Sequence, residues 1–375
     1  MINKEFFKMA EEDAISRGFE VDEVLACMER ALIGAFKKEH GNTSCKVEFK
    51  PEKNEIILYS IHKVVEAYTV YNELELEEEK KEEKKDTVEY AEMLLSDAKK
   101  IKSHYKVGDL VLQQENLKNY SRTTILTAGN MYKQGVRQLE REKAYVFFKS
   151  QENEMINAEI SNMGERFLTL KLGYNVTTLL PLSELLPNDK PAIGDYIKVY
   201  IKKVEQTTKE PKVIVSRNER GLVTRLMETY IPEIKNGIIE IKGIARDAGD
   251  RSKIALYSND PKVDAIGSCV GEGGSRIREI VNALGGEKVD LYKWSEDPEE
   301  LIANSLQPAS VTRVLNIDVK NKTSQVVVPD DHLSLAIGKS GQNVRLAVQS
   351  CGWKIDIMPT SEAYDKGLIN ILGLE

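Results

Sequence analysis

The feature that most restricts this chain occurs in it twice. Gly271-Glu272-Gly273-Gly274, followed by Ser275-Arg276-Ile277-Arg278-Glu279-Ile280-Val281-Asn282-Ala283-Leu284-Gly285, returns 67 positions later. The second copy is Gly338-Lys339-Ser340-Gly341, followed by Gln342-Asn343-Val344-Arg345-Leu346-Ala347-Val348-Gln349-Ser350-Cys351-Gly352. Gly271, Gly274, Arg278, Val281 and Gly285 coincide with Gly338, Gly341, Arg345, Val348 and Gly352, and with one residue deleted Val289-Asp290-Leu291 meets Ile355-Asp356-Ile357. A strand-like stretch precedes each copy, Ile254–Tyr257 in the first and Val326–Val328 in the second. A helix start comes after it, at Asp260-Pro261 and at Asp330-Asp331. Each copy is therefore predicted to run strand, helix, GxxG, helix, strand. A single GxxG is usually only a tight turn; two in the same context define a repeated structural unit.

The physics of that unit favours a phosphate chain. Two helices joined by a tight GxxG turn bring backbone N–H groups and a positive helix end to one point. Glycines there let a sugar-phosphate backbone come close, and the groove beside them takes the bases of about four nucleotides, which resembles the KH arrangement. The candidate RNA-binding residues are Gly271, Gly274, Arg276 and Arg278 in the first copy. In the second they are Gly338, Lys339, Ser340, Gly341, Gln342 and Arg345. Arg278 and Arg345 occupy equal helical positions and also fit structural ion pairs. Ile277, Ile280 and Leu284 belong to a core, and Trp353 fits core or rim better than a stacking platform. The Glu272 carboxylate repels phosphate, so the first copy is expected to be the weaker of the two.

From about Glu154 the hydrophobic period shortens to that of strands. Met155–Ile160, Phe167–Leu172, Val176–Leu180, Ile197–Ile201 and Val213–Val215 give five strands, with a short helical piece at Ser183–Leu186. Five short strands with one inserted helix fit an OB-type barrel. Ahead of it, Lys4 to about Ala35 reads as helical, with Asp22 as cap of a second helix ended by Gly41. Val47–Phe49 and Ile56–Tyr59 flank Pro51-Glu52-Lys53-Asn54 as a hairpin. Ser121–Phe148 reads as one long helix broken or bent near Gly129 and Gly135. The fold class expected is multidomain α+β: a helical and β N-terminal domain over 1–105 and a helical connector over 106–150. A barrel over 151–220 comes next, then two tandem KH units over 221–300 and 301–375.

Charge is divided unevenly along the chain. Residues 1–92 carry 14 Lys/Arg against 23 Asp/Glu, a net of −9, whereas the remainder is +2. The Glu75–Asp86 stretch reads as a solvated face or loop rather than as an acidic binding surface. A near-neutral body still presents local basic patches, which a polyanion senses over about 10 Å. No apolar run approaches the roughly 18–20 residues of a membrane span. Met-Ile-Asn-Lys-Glu-Phe-Phe leads into Glu11-Glu12-Asp13 rather than into a leader. Cys27, Cys45, Cys269 and Cys351 form no CxxC pair, and the composition suits a reducing cytoplasm. No P-loop, dinucleotide fingerprint, HExxH, GxSxG or metal-spaced cluster is present. Neither an enzyme nor a cofactor is expected.

A barrel and two KH units behind an acidic helical front resemble the NusA family of bacterial transcription termination/antitermination factors. The resemblance covers nearly the whole chain. It rests on Gly194–Ile201, Ile231-Pro232-Glu233-Ile234, Ala245–Ala255, Asp264–Gly271 and Ile337–Ala347. It implies a type II KH topology and a barrel of the type named after the largest small-subunit ribosomal protein. It also implies an elongation factor that binds core RNA polymerase through its front domain and nascent single-stranded RNA through barrel and KH units. Such a factor promotes pausing and hairpin-dependent termination and joins other Nus factors in antitermination. It is expected to be a monomer, with no membrane contact. The helix around Arg122–Gln134 matches the family only loosely. The chain ends at Glu375, so the extra acidic repeats of some members, and autoinhibition by them, are expected to be absent. The competing readings are an accessory region of a phosphorolytic ribonuclease, for which residues 1–150 offer no carboxylate-rich core, and a ribosome-associated RNA binder without polymerase contact.

Overall fold

The computed structural model describes residues 6–41, 43–68, 90–116 and 119–369. The acidic Glu75–Asp86 stretch lies outside the described residues. The chain divides into two compact units, Met1–Lys143 and Ala144–Glu375.

In the first unit, α1 (Phe6–Arg17) ends at Gly18, whose φ of +70° turns the chain into α2 (Val21–His40). Asp22 is not its cap. Glu20 stands at that place in extended conformation, and its N–H donates to the Glu23 carboxylate at 3.0 Å, so the chain enters the helix two residues earlier than Asp22 suggested. α2 buries Val24, Cys27, Ala31, Ala35 and Phe36, and ends at Gly41 as expected. The hairpin is present: β1 (Cys45–Lys50) pairs antiparallel with β2 (Glu55–Val65), from Cys45 opposite Ser60 to Lys50 opposite Glu55. β3 (Ala91–Leu94) runs parallel to β2 and leads into α3 (Leu95–Ile101).

The connector departs from expectation twice. The span 106–150, expected to be a helical connector with its helix over Ser121–Phe148, also contains a strand, β4 (Leu110–Gln114), antiparallel to β2. Only Val111 of its five residues is buried, too little alternation to show in the sequence. α4 (Arg122–Ser150) then runs 29 residues, unbroken at Gly129 and Gly135. Gly135 serves packing instead: a Cβ there would stand 3.2 Å from the Cys27 sulfur, so its absence lets α4 lie close to α2.

The second unit opens with the last turns of α4, from Ala144, and the barrel. β5 (Met155–Met163), β6 (Phe167–Gly173), β7 (Val176–Pro181), β8 (Tyr196–Glu205) and β9 (Lys212–Ser216) lie in the order β7-β6-β5-β8-β9, all antiparallel. β7 and β9 approach one another, and the Thr178 hydroxyl donates to the Val213 carbonyl at 2.5 Å, nearly closing the barrel. Leu168, Leu170, Leu180, Val199, Ile201, Val213 and Val215 fill it together with Ala144 and Phe148. The helical piece expected at Ser183–Leu186 is only a 3₁₀ turn, Leu182–Glu184. Pro187 disfavours helical geometry at Leu186 and leaves no length for an α-helix.

Beyond the barrel one topology occurs twice. The first copy is α5 (Arg220–Tyr230), α6 (Pro232–Lys235), β10 (Ile239–Asp247), β11 (Arg251–Ser258), α7 (Ala265–Val270), α8 (Ser275–Ala283) and β12 (Lys288–Lys293). The second is α9 (Pro298–Ser305), β13 (Arg313–Asp318), β14 (Thr323–Val328), α10 (Leu333–Ile337), α11 (Gln342–Cys351) and β15 (Lys354–Pro359), closed by α12 (Thr360–Asp365). In each, the first strand is antiparallel and the last parallel to the middle one. The repeat is kept in register: Lys253 faces Asp290, and Gln325 faces Asp356. A helix and an extra strand ahead of the strand–helix–GxxG–helix–strand core give the type II KH order. Asp260-Pro261 does not open α7, because the Asp260 side chain accepts from Lys262 N–H and closes a turn. Asp264 caps the helix, accepting from Ile266 and Gly267 N–H at 3.1 Å each.

Buried charge fastens these parts together. Arg246 and Glu287, 1% and 0% exposed, pair at 2.8 Å. Arg246 also donates to the carbonyls of Arg217 and Glu219, while Glu287 accepts from Ser252 Oγ and Gly249 N–H. Arg217 in turn grips both oxygens of Asp189 and donates to the carbonyls of Lys198 in the barrel and Ala283 at the end of α8. Between the two KH units, Ala255 and Tyr292 enter one core with Ile302, Leu306 and Val326, and Tyr292 OH donates to Ser350 Oγ at 2.9 Å. Lys253, 1% exposed, donates to the carbonyls of Ser305 and Gln307 at 2.8 and 2.7 Å. At Gly243 a Cβ would stand 2.0 Å from the Ser350 carbonyl oxygen, so only glycine lets β10 meet α11.

Arg246→Met leaves Glu287 buried and unpaired. It should lower the unfolding free energy of the second unit by about 3–5 kcal/mol. The more exposed pair Arg251–Asp290, 3.2 Å apart, provides the control; Arg251→Met should cost about 0–1 kcal/mol. Urea unfolding followed by the fluorescence of Trp294 and Trp353 measures both, and equal losses would remove the distinction. Burial also pushes the Lys253 ammonium down from 10.5 to about 8, against the raising influence of Asp290. Between those pH values the unfolded chain keeps a proton that the native protein has released. The contribution of Lys253 to stability therefore rises with pH across that window. Wild type should gain stability relative to Lys253→Met from pH 8 to 10, as read by the difference in urea midpoints.

Candidate nucleic-acid interface

The two GxxG loops have the same backbone. φ is +73° at Gly271 and +74° at Gly338, +54° at Gly273 and +52° at Ser340, and +77° at Gly274 and +73° at Gly341. Ser340 thus holds the left-handed conformation without being glycine, a local strain concentrated in the loop. The first and last glycines have different reasons. A Cβ at Gly271 would lie 2.8 Å from Arg276 Cγ, and one at Gly338 would lie 2.8 Å from the Asn343 nitrogen, so these positions are sterically closed. At Gly274 the nearest atom would be 3.9 Å away, and at Gly341 nothing lies within 4 Å. That open space stands before the N-termini of α8 and α11, where free N–H groups and the helix dipole favour an anion.

The candidate side chains divide once their partners are known. Lys339, Ser340 and Arg278 are exposed, and neither cation has an ion-pair partner among the described residues. Arg276 is a strut: its Nη1 donates to Glu233 Oε2 and to the Ser268 carbonyl, each at 2.8 Å. The Glu233 carboxyl is held below the usual range by its own backbone N–H and then by Arg276. Arg345 pairs with Asp247 at 2.6 Å, and Gln342 Nε2 donates to Asp247 and Asp250 at 2.8 and 2.6 Å. Arg345 nevertheless keeps 54% of its side chain exposed. The expectation that Arg278 and Arg345 are alike therefore divides: Arg278 is free, and Arg345 is tied to the β10–β11 turn of the preceding unit. Ile280, Leu284 and Trp353 are core, as expected, whereas Ile277 is only partly buried and packs against that core from the groove side.

Two grooves accompany the loops. One, of about 680 Å³, is walled by Ile266 and Val270 of α7, Ile277 of α8 and Val289 and Leu291 of the edge strand β12. Gln307–Val311 of the second KH copy form its far side. The other, of about 700 Å³, lies on the barrel between β6, β7 and the loop before β9. Its floor includes the exposed Phe167 and Leu179, and Lys202, Lys209 and Lys212 line it beside Glu184 and Glu210, with Lys202 paired to Glu219 and Lys212 to Glu205. An apolar floor with cationic side chains suits stacked bases and their phosphates, and this is the side on which OB barrels take oligonucleotides. Sequence reasoning missed this groove and the partners Asp247 and Asp250. The string carrying the two aspartates was visible, but nothing in it indicates that residues about a hundred positions later fold onto it. Among the described residues no group of three His, Cys, Asp or Glu could hold a metal ion, and no helix is long and apolar enough to cross a membrane.

A barrel joined to two KH units defines a multidomain RNA-binding protein. Family models agree segment by segment: NusA N-terminal domain over residues 5–142, S1 RNA binding domain over 149–216, NusA-like first KH domain over 217–294 and NusA-like second KH domain over 298–365. The protein named transcription termination/antitermination protein NusA from Halalkalibacterium halodurans is 40% identical over 98% of this chain and 91% of its own length. Those of Bacillus subtilis and Thermus thermophilus are 39% and 36% identical, each over 94% of this chain and 90% and 89% of their own. The solved N-terminal domain of NusA from B. subtilis covers 37% of this chain and 98% of its own, at 23% identity with a TM-score of 0.26. The assignment therefore rests on the family models and the relatives instead. This chain belongs to the NusA family of transcription termination/antitermination proteins.

The loop geometry predicts a ranking. Gly341→Asp puts a carboxylate into the open space beside Lys339, whereas Gly274→Asp alters a loop that already carries Glu272. Gly341→Asp should therefore weaken binding of unstructured RNA more, as measured by fluorescence anisotropy. Equal losses, or a larger loss at Gly274, would overturn the ranking.

Proposed function

We propose that this protein is a non-enzymatic transcription elongation factor that works as a cytoplasmic monomer. It binds core RNA polymerase through its first unit and nascent single-stranded RNA through the barrel and both KH units. It prolongs pausing, promotes hairpin-dependent termination and acts with other Nus factors in antitermination. The observation that carries the RNA half is the duplicated GxxG backbone, with open space before two helix N-termini. Membership in the NusA family supports the transcriptional half. Gly271, Gly274, Gly338 and Gly341 admit the phosphate chain, and Lys339, Ser340 and Arg278 face it. Arg345 and Gln342 contribute once RNA competes with Asp247 and Asp250 for them. Arg276 acts through Glu233 by holding α8 in place. Because several cations meet phosphates, affinity should fall as salt rises.

Co-purification with core RNA polymerase, followed by transcription across a hairpin pause site, tests the reading. The full chain should co-purify and lengthen the pause. Removal should extend to residue 143, because β4 completes the sheet of the first unit. The remaining chain should lose polymerase and keep most of its RNA affinity. Retention of polymerase by the shortened chain would place the contact elsewhere.

A further inference from the structure

β8 directs Tyr196, Lys198 and Tyr200 to the same face. Tyr200 is covered: a Cβ on Gly221 would lie 2.3 Å from its ring. Tyr196 is 75% exposed and, among the described residues, has no ring contact or hydrogen bond to another side chain. It stands at a cleft of about 490 Å³ between the barrel and the C-terminal end of α8, within the size range of small-ligand sites. Lys190, Lys198, Asn157 and Asn282 line the same cleft. Lys198 Nζ is oriented by Asn157 at 3.2 Å, and Lys190 is exposed. At the floor lies Arg217, 4% exposed, which uses four of its five N–H groups on Asp189, Lys198 and Ala283. Its fifth N–H is left over.

We propose that this cleft is a further RNA subsite, separate from both GxxG loops. It takes one nucleotide of a single strand, with the base stacked on Tyr196 and its phosphate beside Lys190 and Lys198. The inference rests on the first KH unit binding RNA. A single exposed aromatic ring flanked by amides and cations matches single-strand binding, in which stacking tolerates any base and charge tracks the backbone. A docked protein segment would need a wider apolar surface than one ring supplies. Of the two carboxylates in the lining, Asp189 is matched by Arg217, and Asp195 accepts from the Ala192 N–H at 3.1 Å but keeps its charge, so Lys190 and Lys198 against Asp195 leave the cleft with one positive charge in surplus. The cleft and the KH groove sit at opposite ends of α8. Ile277 and Ala283 are six residues apart, about 9 Å along the helix. A strand leaving the KH groove thus meets Tyr196 only if it is longer than the groove itself.

The test uses the full chain and two unstructured RNAs. One has about four nucleotides, the length a KH groove holds, and the other about a dozen. Tyr196→Ala should weaken the long RNA by about fivefold or more, the order expected for one lost base–aromatic stack. It should leave the short RNA unchanged, and Tyr196→Phe should restore the long-RNA affinity. Equal binding of the long RNA by wild type and Tyr196→Ala overturns the subsite while the KH reading stands, and turns attention to a protein partner. Failure of wild type to bind either RNA overturns both. Because Tyr196 is exposed, the variant should unfold with wild type, which the same urea titration verifies.

Discussion

The buried pair Arg246–Glu287 is the constraint on which the second unit depends. Neither side chain reaches solvent, so each charge must be matched inside the protein. Matching them draws in the turn between β10 and β11 through Gly249 and Ser252, and the start of α5 through the carbonyls of Arg217 and Glu219. Arg217 repeats the device one step further on. Its guanidinium joins Asp189 and strand β8 of the barrel to the last turn of α8. Such directional bonds fix orientation in a way that apolar contact alone does not. The barrel and the first KH unit are thereby set at one angle, which places both grooves and the Tyr196 cleft on one unit.

The two KH copies show how one backbone carries two chemistries. Their loops agree in φ to within a few degrees, and in both a Cβ on the first glycine would collide with the helix that follows. Their side chains do not agree. Glu272 stands where Lys339 stands, and the free arginine of the first copy, Arg278, corresponds to one that Asp247 holds in the second. The second loop is the more positive by charge, yet Gln342 and Arg345 of the helix behind it are already engaged by the first copy. The same interface that joins the tandem, through Lys253, Tyr292 and Gly243, therefore also brings Asp247 and Asp250 to Arg345 and Gln342. An intramolecular carboxylate on Arg345 orients the guanidinium while leaving half of it accessible to a competing phosphate.

Much of this was legible in the sequence, and the reasons are local. The GxxG repeat, the five strand periods, the hairpin around Pro51–Asn54 and the helix stop at Gly41 all depend on backbone preferences within a few residues. The misses were of two kinds. Some were weak local signals: β4 buries a single residue, and Glu20 rather than Asp22 begins α2 because helix entry depends on backbone geometry that several acidic residues could satisfy. Gly129 and Gly135 were read as breakers, but in a long helix the cost of a glycine is about 1 kcal/mol, and close packing against Cys27 gives Gly135 a reason to be there.

The other misses were partners. Arg276, Arg278 and Arg345 look equivalent along the chain, all basic and all within one helical turn or so of a GxxG. Only the fold separates a strut on Glu233, a free cation and a charge held by Asp247. The sequence by itself determined the repeated unit, the order of the segments and the place of the GxxG turns, because glycine spacing and hydrophobic period act over short range. Tertiary structure alone decided which charges remain available to a ligand and where Tyr196 stands, because ion pairing joins residues separated by tens of positions and is set by the docking of whole elements.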